Sequence, residues 1–167
     1  MPIYTIGHGN QSLEEFLVLL DRYKIRCLID VRSKPYSNYA RQFDREDFSL
    51  QLNNRDIKYE YKGNALGGKP SNNELLTGGQ PDYHKIRESA AYSNELKKMV
   101  GSFEKDQVNI VLLCSEENPL RCHRFLLIAE NIYQTGEEIY HIRQSGAVQK
   151  HSEIRGGNQG QQPSLNL

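Results

Sequence analysis

Residues Val108–Arg124 read VNIVLLCSEENPLRCHR, and the fold of the chain is decided by how this stretch is read. Val108 to Leu113 is an apolar run, broken only by Asn109, of the length expected for a buried strand. It ends on Cys114, and a polar turn carrying Glu116 then leads to Cys122, His123 and Arg124. Reactive side chains therefore gather where a buried strand stops. In open α/β sheets ligands bind outside the carboxyl ends of the strands, where side chains and loop amides converge over a rigid base. A helix of about 13 residues is expected from Leu120, with Gly136 as its stop.

The rest of the chain repeats this pattern. Ile3 to Ile6 is a short strand-like segment, and Gly7-His8-Gly9 leaves His8 just past its end. Ser12 and Glu15 have capping-box spacing, and Leu13, Phe16, Leu17 and Leu20 recur at helical spacing, so residues 13 to 23 read as an amphipathic helix. Cys27 to Val31 is a second buried strand, which delivers Asp30, Arg32 and Ser33 at its end. Asp44 is placed to cap a helix over 45 to 54, with Phe48, Leu50 and Leu52 as its apolar contacts. The alternation of Ile57, Tyr59 and Tyr61 with charged residues predicts a half-exposed strand near a sheet edge.

Residues 63 to 81 read as a long loop containing Gly67-Gly68, and two helical pieces follow over 83–91 and 93–103, the second capped by Ser93 or Asn94. Glu138 to Ile142 is the last expected strand. Alternating strands and helices predict an α/β fold, a mostly parallel sheet with helices on both faces, as one domain over residues 1–143. Residues 144–167, rich in Gly, Gln, Ser and Asn, are expected to fray as a polar tail.

Composition narrows the function classes. A chain of 167 residues with 37% hydrophobic content suits one core. Lys plus Arg and Asp plus Glu balance at 21 each, so any attraction to nucleic acid or anionic lipid has to be local. No apolar run approaches a membrane span and no signal segment opens the chain, so a soluble, cytoplasmic protein is expected. Three cysteines at these spacings disfavour a disulfide framework and suit a reducing compartment.

The shared rim is expected to collect His8, Asp30, Arg32, Ser33, Cys114, Glu116, Cys122, His123 and Arg124. Nearby cations and a helix amino terminus favour a thiolate, which makes Cys114 the candidate nucleophile, with His123 and Glu116 to move protons. Arg32 and Arg124 are candidates to hold a phosphate or other anion. A zinc reading of Cys114, Cys122, His123 and His8 is disfavoured, because the spacing lacks a paired knuckle and adjacent Cys122 and His123 should diverge. No cofactor is implied. The segment from 32 to 69 holds eight Lys or Arg against five Asp or Glu, with Tyr36, Tyr39, Phe43, Tyr59 and Tyr61 among them, a mixture that can stack bases and hold phosphates.

Four ordered stretches, YTIGHGNQSLEEF, LIDVRSKPYS, IKYEYKGNALGG and LLCSEENPLRCHR, resemble domain of unknown function family 488. The resemblance spans residues 3 to about 142 and implies a three-layer α/β/α sandwich. Its motifs fall on His8, Asp30, Arg32, Pro35, Gly67, Gly68, Cys114, Glu116, Cys122, His123 and Arg124, and no activity comes with the name. A weaker likeness links LIDVR and IVLLC to rhodanese-type sulfurtransferases. Glu116, Glu117 and Pro119 depart from the small residues such a loop uses. The leading expectation is an enzyme acting on a small anionic ligand, a phosphate-bearing nucleotide or nucleic acid; the alternative is a non-catalytic module that binds the same ligands.

Overall fold

The computed structural model describes residues 2–158. β1 (Ile3–Gly7) leads through α1 (Leu13–Arg22) to β2 (Ile25–Asp30), and a loop with a 3-10 turn at Arg41–Phe43 leads on to α2 (Arg45–Asn53) and β3 (Lys58–Tyr61). Then come α3 (Gly63–Leu66), a small hairpin of β4 (Leu76–Thr77) and β5 (Gln80–Pro81), α4 (Tyr83–Glu88) and α5 (Ala90–Asp106). β6 (Asn109–Cys114) is followed by a 3-10 turn at Pro119–Arg121 and a π-helical turn at Arg124–Ala129. The chain continues through α6 (Glu130–Tyr133), β7 (Ile139–Ile142), β8 (Val148–Lys150) and α7 (His151–Ile154).

Six strands form one sheet in the order β3-β2-β6-β1-β7-β8, all parallel except β8. β6 lies between β2 and β1 and is buried on both faces, which is why it reads as a nearly continuous apolar run. Ile110 and Leu112 point to one face and pack with Met99, Phe103, Leu127 and Ile128. Val111 and Leu113 point to the other and pack with Phe16, Leu20, Phe48 and Leu52. A helical layer therefore covers each face, and the fold is a three-layer α/β/α sandwich. The parallel strands end on one rim at Gly7, Asp30, Tyr61, Cys114 and Ile142.

Local signals set several boundaries as expected. Ser12 and Glu15 form the capping box at α1: Ser12 Oγ accepts from the Glu15 amide at 3.2 Å and Glu15 returns the bond to the Ser12 amide at 2.8 Å. β3 is an edge strand with half-buried tyrosines. Other expectations are corrected. Asp44 precedes α2, but its carboxylate accepts from the Ser37 amide instead of capping the helix, and Leu50 faces solvent because only Phe48 and Leu52 share the buried stripe. Ser89, not Ser93 or Asn94, caps α5.

The single helix expected from Leu120 is instead a 3-10 turn, a π turn and α6. Side chains of the neighbouring helices take up carbonyls of the widened turn: Arg87 donates to Leu126 O at 2.7 Å and the Tyr92 hydroxyl to Leu127 O at 3.3 Å.

The expected polar tail is corrected as well. β8 pairs antiparallel with β7 after a turn at Gly146, and α7 buries His151 completely. Polar composition conceals this, since the strand is held by backbone pairing and the helix by one imidazole. Residues 159–167 of that segment lie outside the described residues. His151 closes a buried hydrogen-bonded chain. Arg124 Nε donates to Thr5 Oγ1 at 3.3 Å, Thr5 Oγ1 lies 2.7 Å from His141 Nδ1, His141 Nε2 lies 3.1 Å from His151 Nδ1, and His151 Nε2 lies 3.0 Å from a Glu130 carboxylate oxygen. Burial favours neutral imidazoles, and with both neutral and Glu130 only accepting, the intervening protons point toward Glu130.

That arrangement resists protonation. Burial first, then the adjacent His151, push His141 down to about 2; burial also lowers His151 against the opposing pull of Glu130. An unfolded imidazole takes a proton near pH 6.5, so below that pH the unfolded chain binds more protons than the native one. The stabilisation is complete above about pH 6.5 and is lost as pH falls. Urea midpoints should therefore drop below about pH 6.5, at up to about 1.4 kcal/mol per pH unit for each histidine. His141→Gln should be less stable at pH 7 and show a shallower decline.

Candidate functional site

The two ends of the turn after β6 come back together. His8 and Gly9 amides donate to the Cys114 and Ser115 carbonyls at 3.0 and 2.9 Å, tying the end of β1 to the end of β6. Gly7 is required there, because a side chain at that position would land on the Glu116 carbonyl. Glu116 turns its carboxylate onto the Asn118 amide at 2.9 Å, and Asn118 caps the 3-10 turn through the Leu120 amide at 3.1 Å. Pro119 opens that turn, which stops at Cys122. The sequence SEENPLR thus contains its own turn chemistry, and it brings Cys122 and His123 back over Cys114.

Cys114, Cys122 and His123 form one buried cluster. His123 Nδ1 lies 3.6 Å from Cys114 Sγ and 3.7 Å from Cys122 Sγ, and His123 Nε2 lies 3.1 Å from the Val31 carbonyl. A carbonyl only accepts, so Nε2 carries a proton, and Nδ1 is the nitrogen that faces both sulfurs. Their exposures are 9%, 4% and 7%, so all three are buried. Gly68 lies flat against the imidazole: a Cβ there would come within 2.6 Å of His123 Cγ. Ser33 Oγ accepts from the Lys69 amide at 2.9 Å and packs beside Gly67. The Gly67-Gly68 segment is therefore a cover over the imidazole.

The two thiols divide their protons unequally. Burial opposes ionisation at Cys122, but the Cys114 thiol, Arg124 and His123 together hold Cys122 well below the usual thiol range. Cys114 is raised, first because it donates to Cys122 and then because it is buried. The sequence expectation named Cys114 as the nucleophile; of the two buried thiols, the surroundings favour ionisation at Cys122 over Cys114. The Arg124 amide lies 3.5 Å from Cys122 Sγ and donates to it. The expected divergence of Cys122 and His123 is also corrected. Cys122 is extended (φ −125°, ψ 142°) and His123 helical (φ −59°, ψ −25°), and the change of conformation between them swings sulfur and imidazole to the same side.

A second group stands beside the first. Arg32 Nε lies 2.9 and 3.1 Å from the two Asp30 carboxylate oxygens, and its NH2 donates to Asp30 at 2.7 Å and to the Phe43 carbonyl at 2.9 Å. Tyr59 donates to the same carboxylate at 2.7 Å. His8 stacks on Phe43 with centroids 4.5 Å apart, donates from Nδ1 to Gly9 O at 2.8 Å, and points Nε2 at Arg32 NH1 at 3.5 Å. Burial first pushes His8 down to about 4, with Arg32 and Arg124 adding to the effect. Asp30 and Arg32 are thus a buried, bidentate pair that holds the loop after β2.

Arg124 plays a comparable part at the loop after β6. It is wholly buried, and its guanidinium donates to Thr5, to the Glu116 carbonyl and, at 2.7 Å, to the Glu117 carbonyl. The expected anion contact is instead a clamp on the β6 loop. Glu116 is exposed and turned away into Asn118, while Glu117 pairs with Arg143 at 2.8 Å. Sequence reasoning missed Thr5, His141, His151 and Glu130, although a histidine inside the strand IYHI was a signal. It also missed Tyr83, which is pushed up to about 12, first by burial and then by the neighbouring Cys122 and Cys114.

Arg124→Met should leave two carbonyls and Thr5 without their donor. The expected loss is about 3 kcal/mol or more in urea unfolding, since each buried polar group left unpaired costs about 1–3 kcal/mol. Gly68→Ala should spare the fold and displace the imidazole, read as a changed His123 resonance in NMR.

The family described as "Domain of unknown function DUF488" matches residues 12–130, a span holding every predicted site residue except His8. No curated protein and no solved structure matches. With more than half of its length in that match, the chain belongs to the DUF488 family.

Proposed function

We propose that the chain is an enzyme whose reaction takes place at the Cys114, Cys122 and His123 centre, on a small anionic substrate of which a phosphate-bearing nucleotide or nucleic acid is the first class to test. The observation that carries this reading is the placement of His123 Nδ1 at 3.6 and 3.7 Å from two thiols, with its other nitrogen tied to a backbone carbonyl. An imidazole held in one tautomer against a thiol is the arrangement that generates a thiolate. The proton of Cys122 moves to Nδ1, and the Cys114 thiol donates to the sulfur left behind.

Arg32 and Arg124 are engaged within the protein, so the cations available for a phosphate lie elsewhere. Lys34 and Arg41 are exposed on the loop after β2, with Tyr36 about half exposed and Tyr39 at 98%. An exposed aromatic among cations suits a base and its phosphate. The same observation favours the second reading, a non-catalytic module for those ligands. A rhodanese-like transfer has less support, because the carbonyls of Glu116 and Glu117 turn inward onto Arg124. Such a transfer needs a loop with its amides inward.

The test is the alkylation rate of each cysteine against pH, read by peptide mass spectrometry. Cys122 is expected to react well below pH 8.5, the value for an unperturbed thiol, and Cys114 above it. His123→Gln should move Cys122 back toward the ordinary range. A Cys122 that titrates normally in the parent protein would sink the enzyme reading, and nucleotide binding by a Cys122→Ser variant at unchanged affinity would favour the binding module.

A further inference from the structure

We infer that Cys114 Sγ, Cys122 Sγ and His123 Nδ1 are a three-ligand site for zinc with one coordination position open to substrate or water. The inference rests on reading these residues as the reactive centre and names its cofactor; a bound metal would take the place of the thiol protons and of the proton that Nδ1 accepts in the metal-free centre.

The three donor atoms lie within 4.8 Å of one another, and all three residues are buried. Zinc–sulfur bonds of about 2.3 Å and zinc–nitrogen bonds of about 2.0 Å in a tetrahedron place sulfur and nitrogen about 3.5 Å apart. The observed sulfur–nitrogen separations are 3.6 and 3.7 Å, and the two sulfurs lie within 4.8 Å of each other, so a modest approach of the sulfurs would close the set on an ion. The set is two soft sulfurs and an imidazole, the chemistry zinc selects over magnesium or calcium. Three protein ligands and an open fourth position are the mark of catalytic rather than structural zinc.

The surroundings meet the same requirement. A ligating histidine almost always donates its other nitrogen to a carbonyl or carboxylate, which fixes the ring; here His123 Nε2 donates to Val31 O at 3.1 Å. The Arg124 amide donates to Cys122 Sγ at 3.5 Å, as a peptide amide does to a ligating thiolate. Each donor is held by a different constraint. Cys114 sits at the end of the central strand, Cys122 leaves the 3-10 turn, and His123 lies between Gly68 and Val31. Cys27 lies in β2 on the core side and takes no part.

The test is cobalt and zinc titration of the full chain after reduction and removal of metal by a chelator. Cobalt should produce a thiolate-to-metal absorption band in the near ultraviolet and visible bands of tetrahedral intensity, saturating at one ion per chain and bleached by zinc. Cys114→Ser, Cys122→Ser and His123→Gln should each weaken zinc binding by more than about 100-fold, beyond the cost of losing an outer-shell partner. Cys27→Ser should keep the full band. Because a ligand variant can unfold, zinc protection of Cys114 and Cys122 from alkylation is measured in the unaltered protein as well. Absence of the cobalt band together with absence of zinc protection overturns the zinc site. If Cys122 still reacts at low pH in a His123-dependent way, the thiolate centre stands without the metal; if that reactivity is also missing, both fall.

Discussion

A buried guanidinium holds together the rim that carries Cys114, Cys122 and His123. Arg124 carries a full charge into a place with no solvent, and a charge there is tolerable only when its donors are answered. They are answered by two carbonyls of the loop after β6 and by Thr5 of β1. The loop therefore has one path from Cys114 to Cys122, and the distance between the two sulfurs follows from it. Arg32 does comparable work one strand away. Gripped by Asp30 and the Phe43 carbonyl, it fixes the start of the loop after β2, where Val31 presents the carbonyl that orients His123.

The fold was largely legible and the site only partly so. β6, β2 and the first helix announced themselves through apolar runs and a capping box, because a strand buried on both faces leaves a plain hydrophobic signature. The gathering of Cys114, Cys122 and His123 on one rim followed from parallel strands alone. What could not be read was direction. Neighbouring residues on a regular helix point apart, and the reading that set zinc aside assumed such a helix at Cys122 and His123. The chain is extended at the first and helical at the second, and no propensity marks that change.

The arginines were hard to place for a different reason. An arginine that grips an anion in a crevice and one that grips backbone carbonyls have the same letter and the same neighbours. Burial separates the two roles, and burial depends on contacts such as Thr5 with Arg124, 119 positions apart. The strand β8 and the short helix α7 escaped notice on similar grounds. β8 pairs through the main chain, and His151 of α7 reaches across to Glu130.

The span matched to the family ends at residue 130, while the hydrogen-bonded chain that begins at Arg124 runs through His141 to His151. The unit recognised by sequence is thus shorter than the unit that folds. Two imidazoles past the matched span complete an alignment of protons whose first member touches the loop carrying the sulfurs. The matched span leaves out β1 at one end and β7, β8 and α7 at the other, so three of the six strands of the sheet lie beyond it. A boundary drawn where the resemblance stops would cut through a single cooperative interior.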